Sequence, residues 1–375
     1  VKMAKKQRRI IGAVGARPNF IKIAPIVEEL RKHKEVEFVL VHTGQHYDYE
    51  LSRSFFIDLN IPEPKIHLDV GSGSHAEQTG HIMIRFERVL LEQHPDLVVV
   101  VGDVNSTLAC ALAARKLHTP IAHIEAGLRS FDWRMPEEIN RLLTDAISDY
   151  LFVTEESGES NLLREGISRE KIFLVGNVMI DTLLKQRDRI SQSPIISKLR
   201  LLPSEYAVLT LHRPENVDVE ETFEGILSGL SELRKHIKIV YPIHPRARKR
   251  IDEFRLGTRF PFLNGEERFL VMNPISYLHF LKLVSESRFV LTDSGGIQEE
   301  TTVLEVPCLT LRRNTERPVT VTEGTNTVVD TDPKRILEES MRILDGHEKA
   351  GSIPKLWDGG AAGRIVDVLL DCRRQ

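Results

Sequence analysis

Long apolar runs are missing from this chain of 375 residues, and cysteine nearly so. No stretch approaches the roughly twenty consecutive apolar residues that a helix needs to cross a bilayer, which argues against a membrane-spanning protein. The basic start KMAKKQRR, followed by IIGAVGA, imitates a secretory leader. Its apolar part is short, holds two glycines and runs directly into Arg17, so the expectation is a solvated tail leading into a first strand. The three cysteines, Cys110, Cys308 and Cys372, are odd in number, far apart and set among apolar neighbours. That is the pattern of buried thiols in a reducing cytoplasm, not of disulfides. Charge of one sign is lacking too: a net charge of -3 gives no general hold on nucleic acid or an anionic membrane. The basic run HPRARKR has no interleaved aromatics and reads as a solvated face.

Cofactor signatures are also absent. A nicotinamide enzyme would show GxGxxG after its first strand and an acid ending the second; here GAVGARPN has other spacing and the second strand ends VHTGQ. There is no GxxxxGK[ST] phosphate loop, and no His/Cys/Asp cluster has zinc spacing. Neither metal nor redox cofactor is expected. No short repeat or low-complexity tract appears.

What is present is core material, with 41% hydrophobic and 28% charged residues, in a chain long enough for two domains. Strand-like runs alternate with helix-like segments, which predicts an α/β protein with parallel sheets. The first series is RRIIGAVG, EFVLVHT, DLVVVVG, TPIAHIE, YLFVT and KIFLVG. The rhythm restarts after SQSPIISKLRLLPSE with YAVLTLH, IKIVYPI, RFLVMN, RFVLTD and VPCLTLR. Helices fall between, among them IKIAPIVEELRKH and STLACALAARKL, the latter expected to follow an Asn-Ser cap. The reading is two doubly wound Rossmann-like domains, over 1–185 and 186–358, with a helix over 359–375 packing back on the first.

In open parallel sheets, ligands bind beyond the carboxyl ends of the strands. Polar and glycine-rich residues gather there in this chain: GARPN, TGQH, GDVNST and AGLRS in the first half, HRPEN, HPRAR, DSGG and RRNTERP in the second. Two strand-end surfaces facing a central cleft are therefore expected. In LTDSGGIQEE a buried strand runs through Ser294, Gly295 and Gly296 into a helix, whose unpaired N–H groups and dipole suit a phosphate. An ordinary strand-to-helix turn would read the same way. Arg17 and Lys22 form a cationic fork suited to a phosphate or sugar substituent, or to an ion pair. Asp103 and Glu125 each end a buried strand, where acids seldom serve packing. Glu137 and Glu138 follow Pro136 at a helix start and would complement its dipole, with Arg141 able to pair with Glu137. His123, inside its strand, reads as a core histidine, whereas His212 and Arg213 end a strand of the second half.

The series GARPNFIKIAP, GDVNSTLA, HIEAGLRS, PEEINR, GNVMIDTL, LHRPEN, LTDSGGIQEE and TERP, in this order and spacing over nearly the whole chain, resembles the non-hydrolysing UDP-N-acetylglucosamine 2-epimerases. The resemblance implies the two-domain glycosyltransferase-B architecture, a homodimer and a UDP-sugar substrate inverted at C2. It further implies that Ser294, Gly295 and Gly296 hold the diphosphate, that Glu300 bonds the ribose, and that Arg317 and Phe280 close the UDP pocket. Arg17, Lys22, Asp103, Glu125, Glu137 and His212 would carry the chemistry, an elimination of UDP to a 2-acetamidoglucal followed by re-addition. A relative in the same family acts on a UDP-diacetamido-uronic acid.

Two departures stand out. Asn19 occupies a position where glutamate is common after Arg-Pro. Bacterial members are activated by a second UDP-GlcNAc, and Gln45, Glu138, Arg213 and His244 match that site. However, Tyr47 and Asp48 replace a basic residue and a glutamine, and LDVGSGSHAEQTG lacks the arginine, which argues against such activation. The competing readings are a glycosyltransferase of the same architecture, which would need an acceptor groove, and a nucleotide-sugar sensor, which would not need so many acids at strand ends.

Overall fold

The structure, a computed structural model, describes residues 7–44, 61 and 63–371, without the side chain of Arg17. Gln45, Tyr47, Asp48, Cys372 and the start of the basic leader lie outside the described residues. The chain forms two compact units: Val1–Lys185 together with Lys355–Gln375, and Gln186–Pro354.

The first unit is built on a parallel sheet of β1 (Arg8–Val14), β2 (Val36–His42), β3 (Ile66–His67), β4 (Leu97–Val101), β5 (Ile121–Ala126), β6 (Tyr150–Val153) and β7 (Ile172–Leu174). Its order is β3-β2-β1-β4-β5-β6-β7. Every residue of β4 is buried, because strands flank it on both sides and helices cover both faces. This accounts for its unbroken apolar run where a one-faced strand would alternate. The second unit carries β8 (Tyr206–Thr210), β9 (Lys238–Pro242), β10 (Phe269–Met272), β11 (Phe289–Thr292), β12 (Cys308–Thr310) and β13 (Asn326–Val328), in the order β10-β9-β8-β11-β12-β13. All its strand pairs are parallel. The edge strands β3 and β13, of two and three residues, were not expected; runs so short carry no readable period.

Each sheet has one place where the winding reverses. β1 pairs with both β2 and β4, and β8 with both β9 and β11. Loops leaving the carboxyl ends of those central neighbours therefore turn opposite ways and open a crevice. After β1 and β4 come GARPN and GDVN; after β8 and β11 come HRPEN and DSGG.

The helix Asn105–Lys116 corrects one local expectation. Asn105 and Ser106 lie inside it, the N-cap is Val104, and no side chain caps it. The Asn105 amide instead donates to Gln78 Oε1 at 2.9 Å. By contrast Ser74 starts His75–Gln93 through a reciprocal bond with Glu77. The end of the chain is tied into the first unit by Trp357, 2% exposed, whose indole N–H donates to Thr154 O at 3.1 Å. Asp181 accepts from the N–H groups of Ala361 and Ala362, at 3.2 and 2.7 Å, and so caps the helix Ala361–Asp371 from another element. Cys110 and Cys308 are buried free thiols, and burial pushes the Cys308 thiol up to about 12.

Candidate active site

At the reversal point of the first sheet, Asn19 does the work of a clasp. Its Oδ1 accepts from the N–H groups of Gly15 and Ala16, and its Nδ2 donates to Val101 O at 2.8 Å, which ties the loop after β1 to the end of β4. Arg17 opens the helix Arg17–Leu30, and one turn later Lys22 ion-pairs with Glu125, both groups 5% exposed. Glu125 has φ of 70°, in the left-handed region, where the β5–β6 register slips between Ile124 and Ala126. A β-bulge carrying a non-glycine residue at positive φ costs of order 1–3 kcal/mol, a strain that re-aims the carboxylate out of the strand's alternation. Gly102, at φ 70°, lies against this pair: a Cβ there would come within 3.3 Å of Lys22 Nζ and 3.4 Å of Glu125 Oε2.

Asp103 follows directly. Its Oδ2 accepts from Arg141 Nη1 at 2.6 Å, while the buried Arg141 also holds Glu138 Oε2 at 2.6 Å. Arg141 thus has a partner on its own helix in Glu138, at i,i+3. Glu138 further accepts from the N–H groups of Ser130 and Phe131 and from the Ser130 hydroxyl, at 2.9–3.0 Å. Burial pushes its carboxyl up, but the Ser130 N–H and the Arg141 guanidinium outweigh this and hold it below the usual range. Glu137, half-buried, begins the same helix, Pro136–Ile147. His123 is fully engaged, with Nδ1 2.6 Å from Asp145 and Nε2 2.8 Å from Gly102 O.

In the second unit the loops after β8 and β11 meet on Asp293, which is completely buried. Its carboxylate accepts from the backbone N–H groups of His212 and Arg213, from Asn216 Nδ2 and from His212 Nδ1, the last at 2.7 Å. Burial pushes the Asp293 carboxyl up, yet His212 and the N–H donors hold it below the usual range. Ser294 is the N-cap of the helix Gly295–Val303, but its hydroxyl makes no capping bond, so the first N–H groups of that helix are left for another acceptor. A Cβ on Gly295 would collide with the Arg317 guanidinium and the Glu316 carboxylate. Around that point Glu316 binds Arg317 Nη1 at 2.5 Å and Arg312 Nη2 at 2.8 Å, with Arg213 Nη2 3.7 Å away. Arg317 Nε also reaches Glu299 at 2.8 Å. Three guanidinium groups thus share two carboxylates beside a helix N-terminus, an arrangement suited to a phosphate.

Glu300 is 3% exposed and accepts from Tyr277 Oη at 2.8 Å. Burial pushes its carboxyl up to about 8, more than the Tyr277 bond lowers it, and nearby Glu299 adds to the rise. Phe280, half-buried on the helix Tyr277–Ser285, packs against the β8–β11 side of the core with Ile275 and Ile297. His244 is an exposed N-cap whose ring centroid lies 5.7 Å from that of His212. Of the residues matched to a second nucleotide site, Glu138 and Arg213 are therefore engaged in the networks of the two units.

Within the first unit the structure brings Lys22, Glu125 and Gly102 together, and Asp103 with Arg141 and Glu138. Within the second it gathers Ser294, Gly295, Glu299 and Arg317 at one helix start. Sequence reasoning missed Asp293, Arg312 and Glu316. Asp293 lay in the quoted motif, one residue before the serine. The spacing of Arg312, Glu316 and Arg317 was a further signal. Among the described residues no group of three His, Cys, Asp or Glu side chains is placed to hold a metal ion, and no helix is long and apolar enough to cross a membrane.

Comparison with known proteins gives a family. A sequence model described as UDP-N-acetylglucosamine 2-epimerase matches residues 28–370. The UDP-N-acetylglucosamine 2-epimerase of Methanocaldococcus jannaschii is 44% identical, over 95% of this chain and 97% of the relative. The UDP-2,3-diacetamido-2,3-dideoxy-D-glucuronate 2-epimerase of Pseudomonas aeruginosa is 40% identical, over 96% of this chain and 99% of its own. A crystal structure of the M. jannaschii UDP-GlcNAc 2-epimerase with UDP-GlcNAc and UDP superposes with a TM-score of 0.90 at 42% identity, covering 97% of this chain and 99% of that one. Sucrose-phosphate synthase of Thermosynechococcus elongatus, 12% identical with a TM-score of 0.63 over 98% of this chain and 99% of its own, shares the glycosyltransferase-B fold alone.

Proposed function

Since the chain belongs to the UDP-N-acetylglucosamine 2-epimerase family, we propose that it interconverts UDP-N-acetylglucosamine and UDP-N-acetylmannosamine by elimination and re-addition of UDP. The C2 proton of the sugar is weakly acidic, so direct abstraction and return is unfavourable. In the elimination the C2–H electron pair becomes the C1=C2 bond of a 2-acetamidoglucal, the C1–O bond breaks, and UDP leaves with its electrons. Re-addition places a proton on the other face of C2 and a diphosphate oxygen back on C1.

The second unit binds UDP. Ser294, Gly295 and Gly296 offer hydroxyl and N–H groups to the diphosphate, Arg317 supplies charge, Glu300 meets the ribose and Phe280 the uracil. Arg17 and His212 offset charge developing on the leaving diphosphate. In the first unit, Asp103, Glu125 and Glu137 serve the proton transfers and the cationic ring, with Lys22 holding Glu125. The observation that carries the reading beyond UDP binding is Glu125, buried against Lys22 at a bulge with φ of 70°. Strain of this kind concentrates where a side chain must be aimed.

Proton NMR of the purified protein with UDP-N-acetylglucosamine in heavy water tests this. The expected result is a mixture with UDP-N-acetylmannosamine and deuterium at C2, without added metal or nicotinamide. Free N-acetylmannosamine with stoichiometric UDP would place the protein among hydrolysing enzymes. Turnover of the UDP-diacetamido-uronic acid alone would move the substrate to that of the Pseudomonas relative. We also read the protein as a cytoplasmic homodimer. The free thiols support the compartment, and the exposed Ile84, Leu91, Ile139 and Leu143, on helices His75–Gln93 and Pro136–Ile147, support self-association.

A further inference from the structure

We propose that Asp293 is a positioning residue that fixes the tautomer and aim of His212, so that Nε2 is the nitrogen that meets the leaving diphosphate and meets it as part of an imidazolium. This rests on the reading above that His212 acts on the diphosphate. The argument starts from the donors around Asp293. Three N–H groups converge on its two oxygens, His212 N at 3.0 Å, Arg213 N at 2.9 Å and Asn216 Nδ2 at 3.3 Å, and His212 Nδ1 lies 2.7 Å from Oδ1. An ionised carboxylate has about four lone-pair sites and only accepts, and the backbone donors together with His212 hold the Asp293 carboxyl below its usual range despite its burial. The carboxylate is therefore ionised and His212 Nδ1 carries hydrogen.

Two consequences follow for the ring. In its neutral form Nε2 bears a lone pair, which repels a phosphate oxygen; only the imidazolium can donate from Nε2. The His244 ring centroid lies 5.7 Å from that of His212, and the guanidinium of the adjoining Arg213 reaches toward Glu316 at 3.7 Å. The His212 side chain is 39% exposed, and Nε2 has no partner among the described residues. Asp293 lies where β8 and β11 pair at the winding reversal of the second sheet, so the same carboxylate ties the HRPEN loop to the helix that begins at Gly295.

The tautomer is read directly by 15N NMR of histidine-labelled protein, with the His212 signals assigned by their loss in His212→Gln. At high pH Nδ1 should be of the protonated, pyrrole type and Nε2 of the pyridine type; the reverse assignment overturns the proposal. Turnover supplies an independent test. Asp293→Asn removes the charge behind Nδ1 and should lower kcat roughly 10–100-fold, the range seen when the carboxylate behind a metal-ligating histidine is changed, with KM and calorimetric UDP affinity near wild type. An equal loss in affinity and kcat would make Asp293 structural only. His212→Asn keeps a donor where Nδ1 was and loses the one at Nε2; it should fold as wild type and lose kcat by about 100-fold or more. Adding Asp293→Asn to it should cost nothing further, and losses that multiply overturn the proposal. Should Asp293→Asn not fold, the tautomer still decides. Wild-type turnover in His212→Asn would remove the functional reading itself, and with it any histidine for Asp293 to position, whatever the tautomer.

Discussion

Raising the pH should weaken the second unit of the wild-type protein more than that of Glu300→Gln. Burial holds the Glu300 proton up to about pH 8, against 4.5 when free. Between those values the native state keeps a proton that the unfolded chain has released. Stability rises with pH only where the unfolded state binds more protons; here the native state binds more, so the sign is the opposite. The contribution is complete below about pH 4.5, declines through the interval and is lost above about pH 8. At 1.36 kcal/mol per pH unit, the rise from 4.5 to about 8 amounts to at most about 5 kcal/mol. For a unit of this size 1 kcal/mol moves the melting temperature by about 2–4 °C, so the difference between the two proteins should change by up to roughly 10–20 °C across that window. Calorimetric scans of both proteins at a series of pH values measure it, and the other titrating groups cancel in the difference. A difference that stays constant with pH would mean that Glu300 is already ionised beside Tyr277, and the reasoning from its burial would be wrong.

Other outcomes are expected. Ser294→Ala should weaken UDP binding by about 1.5–3 kcal/mol, the value of a hydrogen bond to a charged group, with the melting temperature unchanged; unaltered calorimetric affinity would remove Ser294 from the diphosphate. Gly295→Ala should lower UDP affinity more, since its Cβ would displace the Arg317 guanidinium and the Glu316 carboxylate, and wild-type affinity would show that this cradle does not hold the ligand. Lys22→Met breaks the buried Lys22–Glu125 ion pair, which should destabilise the first unit by about 3–5 kcal/mol in denaturant titration. If elimination and re-addition use different acids, Asp103→Asn or Glu137→Gln should release 2-acetamidoglucal, detected by mass spectrometry of quenched reactions; wild-type rates without glucal in both would defeat the assignment.

The doubly wound sheets were legible because long apolar runs such as the valines of β4 can be satisfied only by burial on both faces. Motif position at strand ends was legible for the same reason: a strand that is buried throughout can change to polar residues only where it leaves the sheet. Less visible were the partners. Nothing local says that Arg141 reaches back 38 residues to Asp103 or that the Asp of DSGG reaches His212 in a loop 81 residues earlier. Such contacts depend on which strands become neighbours, and the adjacency of β8 and β11 is a property of the winding. The left-handed backbone of Glu125 had no signal either, since glutamate carries no preference for that region and the bulge is imposed by pairing with β6.

The return of Lys355–Gln375 to the first unit bears on how the protein is made. On the ribosome, Val1–Lys185 emerges first but cannot finish, since the Asp181 carboxylate and the site for Trp357 wait for residues beyond Pro354. At about 5–20 residues per second, the intervening unit takes on the order of 10–30 s to appear, and it is continuous in sequence, so it can close before its elder neighbour. The part holding Asp103 and Glu125 thus passes a long interval with a buried acid uncapped and an indole pocket open. A chaperone that recognises exposed apolar surface would be expected to bind the nascent chain over that interval, and premature termination just after Pro354 would leave a formed second unit attached to an unfinished first one.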